Sequence, residues 1–406
     1  MATDPLAIAE RRYDHGYVVD TLVTLARTPS DVPQGQNEIE PSDPKLTHYV
    51  RSVIRPMVER LELGPVEVDE LNNLICRIGS GAPSPSLLVM PYTTAQHGDY
   101  TPPELEGRLM NGRDYGFDED CVFGRGTSQN KGGLAATLSA LKILKDEGVR
   151  LRGTLILAVN AEGQSSHRCS IRIMDGHGIR ADAGWLATGS PRLVIGHRGR
   201  VDIYLTIRGE TGHSSQPHLG KNAIWGLAEA LNRIKALKAK VNRQHPVLPG
   251  GEQVEPYKLI TRPIAPHTMP EEAHLTIDRR ILPDTNPDEA VEQMRQAIGE
   301  IPPYEVIVEK GAVHLPWMVP ADLPHVQTLT KMHERVKGKP PEVGYVPYAF
   351  DAGYANFRGI PTVMFGPSAR AVRVRGRDVV ATEFIPVSEV RDFTKIYAAA
   401  ILSLLA

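Results

Sequence analysis

Cysteine is scarce in this chain: three in 406 residues, Cys76, Cys121 and Cys169, widely spaced and odd in number. That excludes a disulfide framework and points to a reducing compartment. No apolar run approaches the roughly eighteen residues that a membrane-spanning helix requires. Blocks of like charge are missing too. The 46 basic and 48 acidic residues are interspersed and leave a net charge of −2, which excludes a tract built for nucleic acid or an anionic membrane. The opening MATDPLAIAERRYDHG carries acids and no apolar core, so it does not read as a secretory signal. What remains is ordinary for a soluble globular protein, with 41% hydrophobic and 23% charged residues. A chain of this length exceeds the usual single core, which predicts two domains. The expectation is a cytoplasmic soluble enzyme.

Helical and strand periods alternate along the first part. Helical patterns cover 16–27 and 44–62, and apolar runs follow at 73–79, 86–94 and 153–161. The last two runs are continuously apolar, as strands covered on both faces are. With the helix over 134–145 between them they form a βαβ unit, so a mostly parallel, doubly wound α/β sheet is expected. The middle reads differently. The stretches 201–209, 273–282 and 304–311 alternate with period two, helices fall at 222–237 and 286–301, and a Pro-rich passage runs to about 270. That order is a ferredoxin-like α+β sandwich inserted into the larger domain. The predicted division is 1–197 with 312–406 for the catalytic-type domain and 198–311 for the lid. The first style returns with a helix over 324–337, a strand at 360–367 and a final helix over 387–405.

The segment FGRGTSQNKGG (123–133) opens the 134–145 helix with a glycine-rich turn, two hydroxyl residues, Thr127 and Ser128, and Lys131. Glycines permit the tight turn, and the helix start favours an anion such as a substrate carboxylate. A purely structural role for the glycines and Lys131 fits equally. A phosphate-loop reading fails, because neither the GxGxxG spacing nor the lysine-hydroxyl ending is present.

Together with GETGHSSQPHLGKNAI, HLTIDRRILP and FDAGYANFRGIPTVMFGP, this segment resembles, in order and spacing, the blocks of the M20 family of metallopeptidases and aminoacylases. That family includes acetylornithine deacetylase, succinyl-diaminopimelate desuccinylase and the carboxypeptidase G type, and the resemblance runs over nearly the whole chain. It implies an amide hydrolase acting on N-acyl amino acids or small peptides, and dimerisation through the lid. It also implies a dinuclear metal site, and here the chain departs from the pattern. The histidine and aspartate of the first motif fall on Tyr92 and Thr94, and the bridging aspartate falls on Gln129. The paired glutamates fall on Ala161 and Glu162, the next acidic ligand on Thr188 and the final histidine on Val379. A catalytic zinc site needs at least three protein ligands of histidine or carboxylate type. One carboxylate survives, so no metal is expected.

The resemblance further implies that His213 is the lid histidine that stabilises an oxyanion, that Arg280 lies near a substrate carboxylate, and that His267 points into the cleft. Arg279 faces the opposite way by strand alternation. Glu162 is left as general acid/base, with Tyr92, Gln129 and His213 as hydrogen-bond donors to a developing oxyanion. Thr94, Thr127, Ser128, Lys131 and Thr188 complete the expected substrate contacts. The reading is a metal-free amidohydrolase that acts as a homodimer. Metal-free isomerase or lyase chemistry, a dimeric small-molecule-binding protein, and a zinc, manganese or cobalt hydrolase with relocated ligands remain open beside it. In the last case His97, Asp99 and Glu162 are the ligands to consider.

Overall fold

The structure is a computed structural model; it describes residues 4–33, 36, 38–93, 105–162, 166–190, 192–369, 372–374, 377–379 and 383–406. The chain divides into two compact units. The first holds Met1–Ile195, Met318–Gly344 and Tyr354–Ala406, and the second holds Gly196–Trp317 and Tyr345–Gly353.

In the first unit the strands Ser86–Met90, Thr154–Val159, Ala183–Leu186 and Thr362–Met364 form the parallel centre of a larger sheet. Every residue of Ser86–Met90 and of Thr154–Val159 is buried, so both faces are covered and the unbroken apolar runs are explained. Leu74–Gly79 extends the sheet antiparallel to Thr154–Val159, and Val66–Val68 follows it. The final helix, Val387–Leu405, packs on Gly132–Glu147 and Pro324–Lys337. The hydrophobic stripe that makes this contact includes Val390, Phe393, Tyr397 and Ile401, spaced three and four apart. A smaller three-stranded sheet, Leu109–Asn111, Asp120–Phe123 and Phe384–Pro386, carries an aromatic cluster in which Phe123 stacks on Phe384 at 5.4 Å.

The second unit is a four-stranded antiparallel sheet in the order Gln253–Arg262, Glu272–Ile281, Gly199–Arg208, Glu305–His314, with the helices Ala223–Lys240 and Pro287–Ile298. Its core is built from alternate residues. Val201, Ile203, Leu205 and Ile207 from one strand meet Ala273, Leu275 and Ile277 from the next, with Leu227, Ile234 and Met294 from the helices. This is the ferredoxin-like order of the predicted insert.

Two features differ from the sequence reading. The strand Gln253–Arg262 lies in the passage read only as Pro-rich. Pro256 is accommodated because this is an edge strand and the register shifts between Pro256 and Lys258, so the missing N–H breaks no central ladder. The second unit also takes in Tyr345–Gly353, which the pattern assigned to the first. Backbone recruitment explains it: the Arg198 guanidinium donates to the Pro347 carbonyl at 2.9 and 3.1 Å, and His197 Nε2 accepts from the Phe350 N–H at 3.0 Å.

Alternation separates two neighbouring arginines, as expected. Arg279 turns to the helix side, 1% exposed, and donates to the Glu252 carboxylate at 3.0 Å and to Gln293 at 3.4 Å. Arg280 forks onto Asp278 at 2.7 and 2.8 Å on the opposite, wetter face. Breaking a fully buried pair strands a charge, whereas the Arg280–Asp278 pair keeps 18% and 22% of its side chains in water and its loss is better screened. Arg279→Ala is therefore expected to cost about 3 kcal/mol or more, and Arg280→Ala less than about 1 kcal/mol. Urea titrations of the two variants check the order, and equal losses would contradict it.

Candidate functional site

The carboxyl ends of the parallel strands lie side by side, the position where open α/β sheets hold ligands. Tyr92 extends the Ser86–Met90 strand by a parallel bridge to Asn160, and its side chain is buried. Thr93 hydrogen-bonds the next turn from both ends: its N–H donates to the Asn160 carbonyl at 3.1 Å and its hydroxyl to the Ala161 carbonyl at 2.5 Å. Glu162 follows, 1% exposed. Thr188, at the end of Ala183–Leu186, donates through Oγ1 to the Gln129 carbonyl at 2.7 Å and to Asn130 Oδ1 at 2.8 Å. Tyr92, Glu162, Thr188 and Gln129 are thus drawn to one edge of one sheet.

The helix start reaches that edge through two glycines. A Cβ on Gly133 would lie 1.9 Å from the Ala187 carbonyl oxygen, and one on Gly189 would lie 1.9 Å from that of Ser128. Backbone presses on backbone from both sides, which only glycine allows. Ahead of the helix, Thr127–Lys131 forms a wide turn in which the Lys131 N–H reaches the Gly126 carbonyl at 2.9 Å. Wide turns of this kind recur at functional sites.

Glu162 has company that the sequence reading did not give it. Its Oε1 accepts from Ser166 Oγ at 3.0 Å and its Oε2 from Arg168 Nε at 3.1 Å. Arg168 also donates to the Ile39 carbonyl at 3.0 Å and lies 3.6 Å from Glu38. Burial works to lower the guanidinium's pKa, and the Glu162 and Glu38 carboxylates more than offset it, raising it above the ordinary value. The expected lone carboxylate is an ion pair. Nothing in the spacing of SSHRCS marked this arginine, because the pair depends on how the chain turns after the strand.

Other expected contacts are placed elsewhere. Thr127 Oγ1 donates to the Gly124 carbonyl at 2.9 Å within its own turn, and Ser128 Oγ accepts from the Ala369 N–H at 2.6 Å, tying the turn to a distant segment. Lys131 is fully buried and donates to the carbonyls of Thr28 at 2.8 Å and Ala26 at 3.4 Å, closing the end of the His15–Arg27 helix, with its ammonium 5.5 Å from the Tyr49 ring. Its task is to hold a helix end, which corrects the substrate-binding expectation. In the second unit His213 and His267 come together: their rings stack 6.1 Å apart, on a two-stranded ladder of Gly212–His213 and Thr268–Met269. His213 Nδ1 lies 2.8 Å from Ser215 Oγ and 3.2 Å from the Ser215 backbone nitrogen. Arg280 is engaged with Asp278, as described. Thr94, His97 and Asp99 lie outside the described residues.

Taken by themselves, Tyr92, Gln129, Glu162 and Thr188 do not make a divalent-metal site. Among the described residues there, Glu162 is the one carboxylate, and a guanidinium already sits on it. Tyr92, Gln129 and Thr188 add hydroxyl and amide oxygens, so these four residues fall short of the three anionic or imidazole ligands a catalytic zinc requires. Elsewhere, the second unit buries His314 and Asp351 within 4.8 Å of each other, one imidazole and one carboxylate.

Comparison with known proteins agrees with this architecture. The M20 peptidase dimerisation domain matches residues 195–305. A metallo-carboxypeptidase of the M20 family from Sulfolobus solfataricus superposes with a TM-score of 0.68 at 17% identity, covering 95% of this chain and 98% of that one. The chain is thus similar to the M20 family, in sequence over the dimerisation domain and in fold over nearly its whole length. Human carnosine dipeptidase 1 shares the fold, with a TM-score of 0.72 at 14% identity over 98% of this chain and 99% of that one. In sequence, a probable succinyl-diaminopimelate desuccinylase of Staphylococcus epidermidis is 31% identical over 172 residues, 41% of this chain. The chain matches 40% of that relative's length. No helix among the described residues is long and apolar enough to cross a membrane.

Burial lowers the Lys131 amine from the ordinary 10.5 to about 8, with the Glu106 and Asp31 carboxylates acting the other way. Between those values the unfolded chain binds the proton and the folded protein does not, so stability rises with pH through that window. Relative to Lys131→Met, the wild type should gain up to about 3 kcal/mol between about pH 8 and 10.5. Urea midpoints of both proteins across that range measure it, and a constant difference would refute the assignment.

Proposed function

We propose that the protein hydrolyses amide bonds in small N-acyl amino acids or short peptides bearing a carboxylate, without a metal ion. Similarity to the M20 family supports the amide-hydrolase class, and the names of the relatives, a desuccinylase and a dipeptidase, support the substrate class. The observation that carries the metal-free part is the Glu162–Arg168 pair. A cation arriving at Glu162 would meet an arginine already in place, in a low-dielectric pocket where like charges repel strongly. Glu162 is the general base, oriented by Ser166 and Arg168. A base so placed gives a water nucleophile its direction and takes its proton, an effect of about 10² to 10⁴ in rate. The occupied oxygens of Glu162 favour one second reading, a binding protein that keeps the ligand and does no chemistry. The second unit, as a peptidase dimerisation domain, supports a homodimer through that unit. Its edge strand Gln253–Arg262 exposes Tyr257 and Leu259, apolar area suited to pairing.

Protein purified without chelators is expected to carry substoichiometric zinc, manganese and cobalt by elemental analysis, and its amide hydrolysis to survive EDTA. Glu162→Gln should lower kcat about 10²-fold or more with ligand affinity nearly kept. About one metal per chain, with activity lost on chelation, would overturn the metal-free reading and direct substitution to His97, Asp99 and Glu162. Ligand binding without turnover in the wild type would select the binding protein. Light scattering at micromolar concentration should give the mass of a dimer; a monomer mass would refute the pairing.

A further inference from the structure

The turn that ends in Glu162 is held from below by a group of buried amides and one carboxylate that none of the foregoing chemistry uses. Asp69, 8% exposed, accepts through Oδ1 from the N–H groups of Leu71 at 2.9 Å and Asn73 at 2.8 Å. Its Oδ2 accepts from Asn73 Nδ2 at 2.9 Å. The Asp69 and Asn73 backbones close the loop at 3.0 Å, and Asn72 takes φ 66° to do so. Arg51 fixes the outside, donating to the Asp69 carbonyl at 2.6 Å and to Asn72 Oδ1 at 2.7 Å.

This box leaves the Asn73 side chain one orientation. Its Nδ2 must face the carboxylate, so its Oδ1 faces away, and there it accepts from the Ala161 N–H at 3.1 Å. Asn73 is completely buried. On the far side of the same residue the Ala161 carbonyl accepts from Thr93. One residue earlier, Asn160 Oδ1 accepts from the Glu162 N–H at 3.1 Å while its Nδ2 donates to Ser170 at 3.1 Å. Both peptide groups flanking Ala161, the residue before the carboxylate, are therefore pinned.

We infer that Asn73, oriented by Asp69, is a positioning residue that aims Glu162. An asparagine side chain suits this place because it accepts from a backbone N–H with one atom and donates to a carboxylate with the other. Leucine could do neither, and aspartate could do only the first while ionised. A backbone free to rotate at Ala161 would swing the Glu162 side chain, and misplacement of a catalytic group by about 1 Å costs about 10² in rate. The role in turnover rests on the hydrolase reading; the hydrogen bond to Ala161 does not.

The test uses Asn73→Leu and Asn73→Asp with two readouts. In Asn73→Leu, hydrogen exchange of the Ala161 amide should accelerate about tenfold or more, while the amides of the Thr154–Val159 strand keep their protection. In the same variant kcat should fall about 10²-fold with KM little changed. Asn73→Asp sets a new carboxyl against that of Asp69, and such a pair retains one proton to unusually high pH. Its kcat and its Ala161 protection should approach those of the wild type as pH falls from 8 toward 5 and be lost as pH rises, because the second ionisation sets two carboxylates face to face and their repulsion drives the introduced side chain off the Ala161 N–H. Asp69 also faces His177 Nε2 at 3.2 Å and Arg172 Nε at 3.8 Å, with Glu67 and Glu70 beyond them, so the wild-type profile over the same range is the reference for their titration. Unchanged Ala161 exchange in Asn73→Leu, or an Asn73→Asp profile superposable on the wild type, would overturn the inference. If the wild type hydrolyses nothing, the hydrolase reading fails and the exchange measurement alone decides the role of Asn73.

Discussion

The candidate site depends on one close approach of backbone to backbone. Gly133 and Gly189 let the start of the Gly132–Glu147 helix settle onto the end of the Ala183–Leu186 strand with no side chain between them. From that contact follow the reach of Thr188 to Gln129 and Asn130, the wide turn over Thr127–Lys131, and the burial of the Lys131 ammonium against a helix end. A methyl group at either glycine would push the helix away from the sheet and open the strand ends. The glycine-rich stretch is therefore a spacing device first, whatever ligand the helix start attracts.

Much of the fold was legible because its signals are local. Continuous apolar runs announced the covered parallel strands, period two announced the sheet of the second unit, and alternation alone sent Arg279 and Arg280 to opposite faces. The failures have physical causes as well. Gln253–Arg262 carries a proline that only an edge strand with a shifted register tolerates, so its own sequence argues against it. Tyr345–Gly353 joins the second unit through carbonyl and N–H contacts, which any sequence could supply.

The site was legible in its strand ends and illegible in its charges. Tyr92, Gln129, Glu162 and Thr188 were named by laying the M20 motifs on the sequence, and the structure gathers them at one edge. Arg168 and Asn73 escaped because each acts through a backbone turn whose course no motif fixes. Lys131 shows the opposite error. A lysine beside a glycine turn suggests a ligand, yet complete burial at a helix terminus gives it carbonyls to hold instead.

The pairing of Glu162 with Arg168 has a consequence for descent. Suppose a lineage came under pressure to take up a divalent ion at these strand ends. Installing a ligand first would bring the ion against a resident guanidinium. Removing Arg168 first would leave a carboxylate, 1% exposed, without its counter-charge. Each single step is unfavourable and only their combination is not, so the ion pair acts as a ratchet against the arrival of a cation at this one carboxylate.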